Sequence, residues 1–161
     1  MGLIYSVVHS YTPSNVKVVE NFDMQRFLGT WYEIARFDHA FERNLTHCTA
    51  EYKIRDQHSF TVTNRGKRSN GKWKQKSGKC VFQEKENEGK LKISFGPFYS
   101  GYNVLALDPD YQFALVCGPS RDFLWILSRT PTLSEENMNK LRNIADTQNF
   151  DSDQLILTNQ S

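Results

Sequence analysis

The chain has 161 residues and a formal net charge of +2, with 39% hydrophobic and 24% charged residues. That length fits one domain, and that composition excludes a disordered or fibrous chain. The charge is too small to imply a nucleic-acid partner, and no run approaches the roughly 18 apolar residues of a membrane-spanning helix. Residues 1–20 read as an N-terminal extension and residues 21–161 as the domain. The extension's apolar run, Leu3 to Val8, lacks the basic lead and small-residue cleavage site of a complete secretory signal.

In chain order, short apolar or alternating segments recur, each followed by turn chemistry. Strands are expected over Trp31–Asp38, His47–Arg55, Ser59–Gly66, Lys72–Gln83, Lys90–Phe95, Tyr102–Leu107, Gln112–Cys117 and Phe123–Arg129. Between the third and fourth, Asn70-Gly71 suits a type I′ hairpin turn, since both residues tolerate positive φ. The period then changes: Leu133, Met138, Leu141, Ile144 and Ala145 mark one apolar helical stripe. Thr132 and Glu135 have capping-box spacing at its start. An extended tail, Gln154 to Thr158, follows. Eight consecutive antiparallel strands on short turns close most economically into an up-and-down β-barrel, with the helix packed outside. A barrel of that size has room for one small ligand.

Other chemistry is sparse. The histidines, His9, His39, His47 and His58, accompany no GxSxG, HExxH or glycine-rich phosphate loop. His47 adjoins Cys48, but neighbours on a strand point to opposite faces and cannot share a proton. No catalytic residue, metal ligand set or cofactor is expected. Cys48, Cys80 and Cys117 allow at most one bridge; they are expected to be free and buried, with Cys48 and Cys80 the first suspects for a disulfide. From Arg65 to Lys79 there are seven basic residues and no acidic one. Alternation turns most of them outward on one hairpin, so a solvated surface or an anionic membrane surface fits better than nucleic acid.

Three motifs appear in order. Gly29-Thr30-Trp31 opens the first strand, Asp108-Pro109-Asp110-Tyr111 forms a turn, and Trp125-Ile126-Leu127-Ser128-Arg129 ends the last strand. These resemble the GxW, TDY and terminal-arginine signatures of the lipocalins. The stretches GTWYEIARFDHAFER, GPFYSGYNVLALD and ALVCGPSRDFLWILSRTPT are most similar to the bacterial, apolipoprotein D-like branch. Cys48 lies one residue from where that branch carries a half-cystine, and the C-terminal partner is absent, so that disulfide does not transfer. The resemblance implies that Trp31 and Arg129 stack as the barrel floor, over a one-turn plug from Asp23 to Leu28.

The same resemblance, joined to period-2 alternation, turns Ala50, Tyr52, Phe60, Val62, Phe82, Ile93, Phe95, Tyr102, Val104, Leu115, Trp125 and Leu127 toward the ligand. Leu91, Cys80, Ala106, Cys117 and Phe123 share that inward face, while Tyr99, on the Gly96–Gly101 loop, guards the mouth. The implied function is binding and transport of a small hydrophobic ligand, a fatty acid or lysophospholipid. Another hydrophobe, such as a haem-derived pigment, sterol or retinoid, stays open, and a small lipid-acting enzyme is a third reading. The resemblance further implies a cell-envelope location, as an outer-membrane lipoprotein or in the periplasm, although no cysteine precedes Asn21 to carry a lipid anchor. A monomer or weak homodimer is expected.

Overall fold

The computed structural model describes residues 10–161; the Leu3–Val8 run and His9 lie outside the described residues. A one-turn helix α1 (Met24–Phe27) leads into eight strands: β1 (Gly29–Phe37), β2 (Thr46–Ile54), β3 (Phe60–Lys67), β4 (Trp73–Phe82), β5 (Lys90–Ser94), β6 (Tyr99–Leu107), β7 (Phe113–Cys117) and β8 (Leu124–Ser128). Helix α2 (Glu135–Thr147) and a short strand β9 (Leu155–Leu157) follow. From β1 to β8 each strand pairs antiparallel with the next, and β8 pairs back with β1, closing the barrel expected from the sequence. No helix among the described residues is long and apolar enough to cross a membrane.

Two apolar clusters result. One fills the barrel interior around Trp31, Tyr52, Val62, Val104 and Leu127. The other lies between the barrel wall and α2, around Leu105, Leu115, Ile126, Leu141 and Ala145. The helix starts at Ser134, whose hydroxyl accepts from the Asn137 amide, rather than at the expected cap Thr132. Glu135 and Glu136 sit in the favourable first turn, and Asn149 at φ 66° closes the far end in the left-handed region. The β3–β4 turn is also corrected. Only Gly71 has positive φ, and its amide donates to the Arg68 carbonyl, a type I turn followed by a left-handed glycine.

Bulges on β1 and β6 decide which of their side chains enter the barrel. The register shifts between Glu33 and Ala35 on β1, and between Val104 and Ala106 on β6. At each bulge two neighbours face the same way. Ile34 with Ala35, and Leu105 with Ala106, therefore all join the cluster beneath α2. Beyond the β1 bulge Arg36 pairs with inward Trp125, so Glu33 and Arg36 both project inside. The upper edge of β1 pairs with β9 instead of β2. The segment after β9 bridges the gap, the Gln160 side-chain amide donating to the carbonyls of both Glu33 and Cys48.

The barrel floor, interior and mouth

The floor is built from the GxW glycine outward. Gly29 has φ +100°, a conformation that favours glycine, and a Cβ there would lie 3.4 Å from the Arg129 guanidinium. Trp31, fully buried, stacks on Phe27 of α1 at 4.7 Å between ring centroids and donates from Nε1 to the Phe27 carbonyl at 2.9 Å. Arg129 covers the other side, its Cζ 3.9 Å from the indole centroid. It donates to the carbonyls of Tyr111, Thr30 and Arg26 at 3.1, 3.1 and 2.8 Å. Tyr111, strained at φ 57°, adds its hydroxyl as acceptor for the Asp23 amide. One arginine thus ties the plug, the first strand and the Asp108–Tyr111 turn into a closed end.

Above the floor the lower interior is aromatic and tight. Phe27 meets Tyr52 at 5.3 Å, Tyr52 meets Tyr102 at 5.9 Å, and Phe60 meets Phe82 at 6.0 Å, with Phe22 beside Phe82. Burial pushes the Tyr52 hydroxyl well above its ordinary range, with the Tyr102 and Cys80 side chains adding to the shift. Ala50, Phe95, Tyr102 and Trp125 face inward yet keep part of their surface accessible, beside fully buried Val62 and Val104.

The β1–β2 loop lies across the mouth. Trp125 donates from Nε1 to Glu42 at 2.9 Å, and Lys74, on the far wall, donates to the Phe41 carbonyl at 2.9 Å. The His39 ring packs at 3.9 Å from Phe41 and 5.6 Å from Trp125, and its Nε2 is 2.8 Å from Glu42 Oε1 at ion-pair distance, without hydrogen-bond alignment. Phe123 stacks on Trp125 at 6.2 Å.

Beneath the loop, the Arg36 guanidinium donates to Glu33 at 2.8 Å and to the Glu42 carbonyl at 2.9 Å. Burial and the neighbouring Glu42 raise Glu33 well above the usual carboxylate range. Burial alone would raise Glu42 too. The adjacent His39 ring, the Glu33 carboxyl and the Trp125 hydrogen bond outweigh it and lower Glu42 to about 2. Glu33, Glu42 and Cys48 place ligand atoms within 4.8 Å of one another, but Arg36 already supplies the positive charge a metal ion would bring.

Of the expected lining, Ala50, Tyr52, Phe60, Val62, Phe82, Ile93, Phe95, Tyr102, Val104, Trp125 and Leu127 belong to the interior cluster. Leu115 does not. It pairs with outward Ile126 and packs under α2, while Ala114 and Val116 face inward. Cys117 and Ala106 are outward for the same reasons of register. Tyr99 is also corrected: it begins β6 opposite Ser94, stacks near Lys92 and lines an outer groove of about 440 Å³ with Arg55, Ser77 and Lys79.

The three thiols are free and buried, with burial pushing Cys48 up strongly and Cys80 and Cys117 to about 12. Sequence reasoning missed the Glu33–Arg36 pair and the loop over the mouth. Two charges three residues apart on an otherwise apolar strand were the available signal, since strict alternation cannot turn both inward without a bulge.

A family model described as a lipocalin-like domain matches residues 22–160. The chain is 52% identical over 150 residues to the outer membrane lipoprotein Blc of Escherichia coli (strain K12), covering 92% of this chain and 85% of that protein. It is 29% identical over 153 residues to apolipoprotein D of Mus musculus, covering 89% and 80%. Insecticyanin of the tobacco hornworm Manduca sexta shares the fold, with a TM-score of 0.76 over 94% of this chain and 87% of that one at 24% identity. On the matched domain and these relatives, the chain belongs to the lipocalin family.

Proposed function

We propose that the barrel binds and carries one monoacyl lipid, a fatty acid or lysophospholipid, and does no chemistry on it. The carrying observation is the ring of inward-facing, partly accessible side chains, Ala50, Phe95, Tyr102 and Trp125, above a floor that Trp31 and Arg129 seal. A sealed end keeps water from the tail, so transfer of the acyl chain gains the full apolar burial. His47 supports no nucleophile: its ring contacts Thr46 and the Ser161 carbonyl, while the Cys48 thiol faces Arg36.

The similarity to an outer membrane lipoprotein supports a place in the cell envelope. Phe41 and Phe98, 57% and 82% exposed, sit on loops at the same end of the barrel as the basic hairpin bearing Lys67, Arg68 and Lys72, which fits apposition of the mouth to an anionic membrane surface. Extraction of the purified protein with organic solvent, followed by mass spectrometry, is expected to yield acyl lipid. Titration of the delipidated protein with a long-chain fatty acid or lysophospholipid should then change tryptophan emission to saturation near one ligand per chain. Recovery of a pigment, sterol or retinoid instead, with no saturable acyl binding, overturns the assignment.

A further inference from the structure

Two lysines of the basic hairpin lie on the inner face of β4 towards the mouth, Lys74 half-buried and Lys76 exposed. Alternation from buried Cys80 puts Gly78, Lys76 and Lys74 on the inner face of β4, and alternation from buried Val62 puts Asn64 and Gly66 on that of β3. The register agrees, pairing Val62 with Gly78, Asn64 with Lys76 and Gly66 with Lys74. Side-chain contacts agree as well. Lys76 Nζ lies 5.6 Å from the ring centroid of Phe95, an interior residue, and Lys74 Nζ donates to the loop across the mouth. Among the described residues neither lysine has a carboxylate within ion-pair distance. The carboxylates of Glu33 and Glu42 are already engaged, by Arg36, His39 and Trp125.

We infer that Lys74 and Lys76 form a headgroup subsite for an anionic group, carboxylate or phosphate, on the bound lipid. The inference rests on the monoacyl-carrier reading. Residues two apart on one strand face are separated by about 7 Å, so both ammonium groups can converge on one anion. Asn64, directly opposite Lys76, adds an amide donor. The anion would replace the Phe41 carbonyl as acceptor for Lys74. Directly below, the same face descends through Gly78 and Cys80 to Phe82, beside Val62 and Ile93, an apolar wall for the tail.

Calorimetric titration with three ligands of equal chain length tests this: a fatty acid, a lysophosphatidic acid and an uncharged monoacylglycerol. Lys74→Gln with Lys76→Gln should weaken at least one anionic ligand by about tenfold and change the monoacylglycerol by less than about twofold. The wild-type preference for the anion should shrink between about 50 mM and about 500 mM salt. Whichever anionic ligand loses more identifies carboxylate or phosphate as the recognised group. Lys74→Arg with Lys76→Arg, which keeps both charges, should retain the preference and controls for folding. If wild type binds all three ligands and the glutamine variant loses none of them, or loses all alike, the subsite is refuted and the carrier reading stands. If wild type binds none of the three, the carrier reading falls and the subsite with it.

Discussion

Replacing Trp31 by alanine attacks the closed end directly. The indole is fully buried, stacked between Phe27 and the Arg129 guanidinium, and its Nε1 proton satisfies the Phe27 carbonyl. A buried tryptophan removes about 200 Å² from water, which at about 25 cal/mol per Å² corresponds to about 5 kcal/mol. The lost hydrogen bond adds about 1 kcal/mol and the lost cation–π contact about 1 kcal/mol. Retained alanine surface, partial collapse of Phe27 and Leu28 into the void, and residual burial in the unfolded chain offset part of this, leaving about 3–5 kcal/mol. Urea unfolding followed by far-UV circular dichroism should show that loss as a lower midpoint with an unchanged slope. A loss below about 1 kcal/mol would refute the role of Trp31 as the floor.

Three further outcomes follow from the same geometry. Leu115→Ala, beneath α2 rather than in the barrel, should lower stability by about 2–4 kcal/mol in urea unfolding and leave the affinity for a fatty acid unchanged; a loss of affinity without a loss of stability would return Leu115 to the lining. The lowered Glu42 carboxylate stabilises the fold above its ordinary pKa of 4.5 and loses that contribution as pH falls toward about 2. Glu33, raised by burial, acts in the opposite sense, so the comparison must be with Glu42→Gln: its stability deficit relative to wild type should narrow as pH falls from about 5 toward about 2, and a deficit constant across that range would contradict the assignment. Cys48, Cys80 and Cys117, all buried and pushed up, should react with a thiol reagent slowly in the native protein and rapidly in denaturant; rapid native labelling would show that the interior opens.

The strand succession, the terminal helix and the Trp31–Arg129 floor were all readable because each rests on a local pattern: alternation, a change of period, or a short motif. The face of β7 was not. Phe113-Ala-Leu-Val-Cys117 is apolar at every position, because the barrel interior covers one side and α2 the other, so alternation offers no contrast. Its register had to come from the β7–β8 pairing, where inward Trp125 fixes Val116. The Glu33–Arg36 pair and outward Ala106 depended on bulges, which shift a strand by one residue without a unique sequence mark. Lys74 and Lys76 were hidden inside a run of like charges whose other members do face outward or sit in the turn. The loop over the mouth is held by single long-range hydrogen bonds to β4 and β8. No local pattern encodes such contacts.

Where the acyl chain lies is the most direct question, and paramagnetic relaxation by a fatty acid carrying a nitroxide on its tail answers it. With methyl groups labelled for NMR, the bound probe should broaden Val62, Ile93, Val104 and Leu127 inside the barrel, and leave Ile126 and Leu141 beneath α2 comparatively sharp. Broadening centred on the α2 side, on the outer groove beside Tyr99, or nowhere at saturating probe would contradict a ligand held within the barrel.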